Sequence, residues 1–285
     1  MTTVKFGCQL PQNISEVDRI FEIAKDCQSL GYDSVWAYDH LTPYWLRSQS
    51  SLEAWSLISA VAARTETIKV GSLVTNVTLR NPALLAKITS TVDNISGGRL
   101  IVGLGIGDTM SLPELQSYGY RFPPLDERLT LLRETIMALR AMWTKPEVSF
   151  GGKILRLSHA VCQPKPKQKT GPPIWVGGRN RRLLDITAEL ADGWNHWGLA
   201  EEKLRQLETY LYRKCAELRR PPESVTESWA GPLNMFPLHK IRLLENREEL
   251  KSRITGKTTY FIASFPANAD RKAYERFAEA AKSIA

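Results

Sequence analysis

Cysteine is scarce in this chain and scattered where it occurs, at Cys8, Cys27, Cys162 and Cys215, with no CxxC spacing. That distribution argues against a zinc site or a disulfide framework and leaves buried thiols as the reading. Long apolar runs are missing too. No stretch approaches the roughly 18 residues of a membrane span. The opening "MTTVKFGCQLPQN" lacks the charged and apolar regions of a secretory signal, so a cytoplasmic protein with no membrane partner is expected. The formal charge is +8, yet there is no basic arm. Lysine and arginine alternate with acidic residues, as in "KIRLLENREELKSR", the pattern of a solvated helix face rather than of a nucleic-acid reader. Internal repeats, low-complexity segments and clean linkers are also absent, which points to one domain over residues 1–285.

What the 285 residues do contain is 43% hydrophobic content, enough for a substantial core. Short β-rich runs alternate with longer segments of helical period. The strands read as "VKFGCQL", "YDSVWAY", "IKVGSLV", "RLIVGLG", "PIWVGG", "DGWNHW", "SVTESWA" and "TTYFIASFP". Between the seventh and eighth, "HKIRLLENREELKSRI" reads as a helix. Eight alternations in this length predict an α/β fold, a single (β/α)8 TIM barrel with an insertion, Thr144 to Pro173, between helix 4 and strand 5. An open doubly wound sheet is the alternative that periodicity leaves standing. Helix 2, "SLEAWSLISAVAARTE", is apolar around much of its circumference. It should be buried against the barrel or a second subunit, and a homodimer is the expected assembly.

In such a barrel the active site lies at the carboxyl ends of the strands. Asp39 and His40 end strand 2, and Thr75 and Asn76 end strand 3. Gly105, Gly107 and Asp108 follow strand 4, Gly177, Gly178 and Arg179 follow strand 5, and Asn195 and His196 end strand 6. Polar groups thus collect on one rim. Asp39 could orient His40 or bind a ligand through its carboxylate, and His40 could hold or relay a proton near neutral pH. "GLGIGD" has its glycines spaced GxGxG and opens no long helix, so it is a weak dinucleotide signal; small residues there could instead let a flat ring approach the backbone. "VGGRNRRLLDI" places glycines and arginines before a helix whose free amides suit a phosphate. No metal-ligand spacing is present.

The ordered segments "GCQLPQ", "GYDSVWAYDHL", "VGSLVTNVTLRNPALLAK", "NISGGRLIVGLGIGD", "PPIWVGGR", "LADGWN" and "YFIASFP" resemble the luciferase-like monooxygenase superfamily over nearly the whole chain. The Asp-His pair and the Gly-x-Gly-x-Gly-Asp form resemble its branch that uses the deazaflavin coenzyme F420, including the methylenetetrahydromethanopterin reductases. That resemblance implies hydride transfer between the deazaflavin and a small organic substrate. It places the ring at the strand ends, against Asp39, Leu73, Val74, Thr75, Asn76, Gly105 and Gly107, with a cis peptide between Leu73 and Val74. The phosphate would lie near Gly177, Gly178 and Arg179. Gln9, Tyr44, Trp45, Asn195 and His196 would line the substrate pocket, with His40, Asp39 and Asp108 as the catalytic candidates. Two positions depart from the branch's alcohol and sugar-phosphate dehydrogenases. Tyr44 stands where their Asp-His-x-x-Pro-Trp motif has tryptophan, and Ile106 stands where they carry a glutamate after Gly-x-Gly, making Asp108 the nearest acidic residue of that loop. A two-component monooxygenase using flavin mononucleotide (FMN) and a flavin-binding protein without turnover are the alternative functions.

Overall fold

Trp36, Trp175 and Tyr260 fill the middle of a closed ring of parallel strands, with Trp36 and Trp175 ring centroids 5.0 Å apart and Trp175 edge-on to Tyr260 at 5.1 Å. The computed structural model describes residues 4–42, 50–197, 201–232 and 258–282. Its barrel strands are β1 (Lys5–Gln9), β2 (Ser34–Ala37), β3 (Lys69–Ser72), β5 (Leu100–Gly105), β8 (Ile174–Gly177), β9 (Gly193–Trp197), β10 (Thr226–Pro232) and β11 (Thr258–Ser264), with a short β4 (Thr75–Asn76) beside β5. Each pairs in parallel with the next, β11 returns to β1, and Val70 opposite Leu100 joins β3 to β5. This is the expected TIM barrel, and ring closure removes the open sheet from consideration.

Large rings fit inside because glycines face them. A Cβ on Gly71 would stand 2.5 Å from Trp36 Cζ3, and one on Gly7 would stand 2.8 Å from Trp36 Nε1. Side chains on the alternate positions of each strand face the helices. These helices are α1 (Val17–Ser29), α2 (Ala54–Arg64), α3 (Pro82–Ile95), α5 (Leu125–Thr144), α6 (Arg181–Leu190), α7 (Glu201–Glu217) and α8 (Arg271–Lys282). Asn81 caps α3 through a 2.8 Å bond from the Ala83 amide, with Pro82 in the first turn, and Glu53 caps α2 by accepting from the Trp55 and Ser56 amides. Along α2, Ala54, Trp55, Leu57, Ile58, Val61 and Ala62 are buried within the single chain. The predicted helix within residues 239–254 lies outside the described residues.

Three local features add to the periodic reading, the first being the cis bond that the family resemblance implied. Strand 3 does not run unbroken: β3 ends at Ser72, the Leu73–Val74 peptide is cis, and β4 follows. Beyond β5, a 3₁₀ turn (Thr109–Ser111) leads into a six-residue helix, α4 (Leu112–Ser117). The insertion carries an antiparallel hairpin, β6 (Val148–Gly151) with β7 (Arg156–Ala160). Its turn is held by Glu134 of α5, whose buried carboxylate accepts the Lys153 amide at 2.6 Å and the Leu155 amide at 2.7 Å.

Candidate functional site

Because all barrel strands point the same way, their carboxyl ends form one mouth, and a cavity of about 560 Å³ opens there. Its walls include Gln9, Asp39, His40, Leu73, Val74 and Asn76 from the first three strand ends. Gly105, Gly107, Asp108, Gly177, Gly178, Arg179 and Asn195 complete much of the ring. Most of the rim residues expected from the sequence therefore meet around one space. Trp197, Ser264 and Phe265 also line it and were not singled out. Tyr44 and Trp45 lie outside the described residues.

His40 and Asp39 are neighbours in sequence but have different partners. His40 Nδ1 lies 2.8 Å from Glu114 Oε2, and the same carboxylate accepts the Leu41 amide and, at 3.1 Å, the Thr42 amide. Glu114 sits on α4 and is almost fully buried. Asp39 instead makes a two-pronged ion pair with Arg80, at 2.6 and 3.0 Å, and accepts the Asn76 amide at 3.1 Å. Arg80 also bonds the Glu53 carboxylate. The expectation that Asp39 orients His40 is thus corrected: Glu114 holds the ring, and Arg80 holds Asp39. Burial pushes the Asp39 carboxyl up from its ordinary value, and Arg80 pulls it back. For Arg80, burial acts to lower the guanidinium, but Asp39 and Glu53 raise it above its usual range.

Neither Arg80 nor Glu114 stood out in the sequence. Arg80 immediately precedes the Asn-Pro helix start of "LRNPALL", where it reads as a loop cation. Glu114 lies in the short "SLPELQ" segment, and its one signal was a carboxylate six residues beyond Asp108.

Asp108 is exposed at the cavity edge, and its Oδ1 accepts from the Met110 and Ser111 amides at 2.9 and 3.0 Å, capping the 3₁₀ turn. Gly107 before it has φ +66°, and a Cβ there would stand 2.8 Å from Asn76 Nδ2, so both conformation and space call for glycine. Arg128 braces this loop from α5 by donating to the Ile106 and Gly107 carbonyls at 2.9 and 2.7 Å.

Gly105 and Gly177, which line the cavity, also make room for Val74. A Cβ on Gly105 would lie 2.5 Å from Val74 Cγ2, and one on Gly177 would lie 2.8 Å from Val74 Cγ1. The glycines seat Val74, which forms part of the cavity wall. At the start of α6, Gly178 has φ +147°, Arg179 is exposed on the cavity edge, and Asn180 caps the helix by accepting the Arg182 amide at 2.8 Å.

Two expected residues stand away from the cavity. His196 alternates with Asn195 along β9, so it faces the helix layer while Asn195 faces inward and donates to Ser228 Oγ at 2.9 Å. The His196 ring is fully buried 5.0 Å from Trp194, neither nitrogen has a hydrogen-bond partner, and burial lowers its pKa to about 3. Thr75 is also fully buried and absent from the cavity wall, since it points opposite to its neighbours Val74 and Asn76. Among the described residues no group of three or more His, Cys, Asp or Glu side chains could hold a metal ion, and no helix is long and apolar enough to cross a membrane.

A closed parallel barrel with its polar groups gathered in one strand-end cavity defines a TIM barrel. Within that class, the chain belongs to the luciferase-like monooxygenase family, whose model matches residues 1–284. It is 35% identical over 178 residues to the F420-dependent glucose-6-phosphate dehydrogenase of Amycolatopsis mediterranei, a match covering 61% of this chain and 52% of that protein. Over 192 residues it is 29% identical to the 5,10-methylenetetrahydromethanopterin reductase of Archaeoglobus fulgidus, covering 67% and 52%. The chain spans about half the length of the curated relatives it matches. Among solved structures, an F420-dependent secondary alcohol dehydrogenase in complex with an F420-acetone adduct superposes with TM-score 0.88 and 17% identity, covering 99% of both chains. At that identity the likeness shows the fold.

Proposed function

We propose that this protein is a coenzyme F420-dependent oxidoreductase that transfers a hydride between the deazaflavin ring and a small organic substrate. The observation that carries the reading is His40, held by Glu114, on the wall of a strand-end cavity that Gly178 and Arg179 at the entrance to α6 also line. Family membership and the printed activities of the relatives support it. The residues suit a phosphorylated planar cofactor. Val74 offers an apolar wall, Asp39 a carboxylate, and the capped α6 start with Arg179 a place for phosphate oxygens.

Bound deazaflavin would supply the hydride donor or acceptor, and the chain must manage the accompanying proton. Glu114 orients His40 through Nδ1, and His40, on the cavity wall, is the residue that would hold or move a proton there. Asp108 is the second candidate, through the oxygen not engaged in capping. The reading further includes a small-molecule substrate, no nucleic-acid partner, and a homodimer in the cytoplasm.

Side-by-side fluorescence titrations at fixed salt test the cofactor. F420 is expected to bind more tightly than FMN, helped by the positive charge of the chain toward a polyanionic tail. Equal or tighter binding of FMN would overturn the deazaflavin assignment in favour of the monooxygenase reading.

A further inference from the structure

Asp39 is a buried carboxylate on the cavity wall, with only 1% of its side chain exposed, and such a group ordinarily takes up a proton rather than remain charged. Its surroundings oppose this. Both oxygens accept from Arg80, and Oδ2 accepts from the Asn76 amide as well. A protonated carboxyl oxygen is a poor acceptor, whereas a carboxylate receives a guanidinium fork on both oxygens, so this geometry favours the ionised form. One acceptor direction on Oδ1 remains outside these three bonds.

Arg80 is itself fixed from a second side. It bonds Glu53, the residue that caps α2. The charged groups acting on Asp39 are therefore Arg80, from the loop before α3, and Glu53, at the head of α2. The Glu53 carboxylate favours protonation of Asp39, whereas the guanidinium between the two opposes it.

We propose that Arg80 is a positioning residue for the cofactor: its fork holds Asp39 ionised and turned to the cavity wall, where the remaining acceptor direction receives an N–H donor from the bound ring edge. This rests on the reading that the cavity holds a deazaflavin, whose pyrimidine edge carries an imide N–H. Arg80 acts entirely through Asp39 and touches neither substrate nor ring.

Two measurements separate this role from the cofactor reading. In ligand-free protein labelled with ¹³C at aspartate carboxyls, the Asp39 signal, assigned with Asp39→Asn, should stay at the ionised position across neutral pH. In Arg80→Met it should move to the protonated position, and in Arg80→Lys it should return, because lysine keeps the charge while losing the fork. Second, F420 titrations near pH 6 should show Arg80→Met binding about tenfold more weakly or worse, with the gap to the parent narrowing toward pH 9 as Asp39 ionises. In an Asp39→Asn background, Arg80→Met should cost little further affinity. An Asp39 signal that is alike in parent and Arg80→Met would overturn the proposal, as would an undiminished loss in the Asp39→Asn background. If the parent fails to bind F420 while the Asp39 signal still follows Arg80, the cofactor reading falls and the control of Asp39 charge stands. Should Arg80→Met not fold, Arg80→Gln, which keeps amide donors but no charge, takes its place in both measurements with the same expected direction.

Discussion

The imidazole of His40 has two nitrogens, and the Glu114 carboxylate sits 2.8 Å from one of them. A carboxylate in that position fixes the orientation of the ring and which nitrogen faces it. If His40 manages the proton of a hydride transfer, His40→Ala should lower single-turnover oxidation of bound reduced cofactor by roughly 10²–10⁴-fold, the range of a positioned acid or base. Glu114→Gln should lower the rate less, because the amide keeps an oxygen for the Leu41 and Thr42 amides while loosening the hold on the ring. A His40→Ala rate within about threefold of the parent, far inside that range, would reduce His40 to a loop residue and promote Asp108. The side chains meeting in the cavity were largely legible, because strand ends in a parallel barrel share one rim. Their partners were not: Glu114 is 74 positions from His40 and Arg80 is 41 from Asp39, and neither separation has a periodic signature.

Elements were legible to the extent that periodicity defines them. All eight expected barrel strands occur, because runs such as "RLIVGLG" and "TTYFIASF" are apolar on both faces, as buried parallel strands must be. The break in strand 3 at Leu73–Val74 was expected only from family resemblance, since "IKVGSLV" reads as continuous. The contact of the strand glycines with Val74 was hidden for a related reason. Their meaning lies in what stands across the barrel, and cross-strand packing is invisible along the chain. Gly105 makes this testable. Its added Cβ would fall 2.5 Å from Val74 Cγ2, so Gly105→Ala should destabilise the protein by about 1–3 kcal/mol through overpacking. Val74→Ala should have its own smaller cost, and the double variant should recover part of the loss, giving a favourable coupling in a denaturant-based mutant cycle. Additive losses would mean that Gly105 is needed for its backbone and not for Val74.

At the scale of the whole molecule, stability depends on every group whose protonation differs between folded and unfolded chains, and His196 is the clearest case. Its strand position suggested a rim residue, yet β9 turns it into the helix layer, where it is fully buried with no hydrogen-bond partner. Burial lowers its pKa from an ordinary 6.5 to about 3. Above pH 6.5 both folded and unfolded chains carry a neutral ring, so His196 contributes no pH dependence. Below that, the unfolded chain gains a proton that the folded chain refuses. Stability from this residue therefore falls by about 1.4 kcal/mol per pH unit until the folded ring also titrates near the bottom of the range. Urea unfolding of the parent and His196→Leu at pH 7.5 and pH 5 isolates the effect, because other titrating groups are common to both. The parent is expected to lose about 2 kcal/mol more than the variant between those conditions. Parallel losses would show that His196 takes up its proton in the folded protein, which would require water or another polar partner to reach the ring.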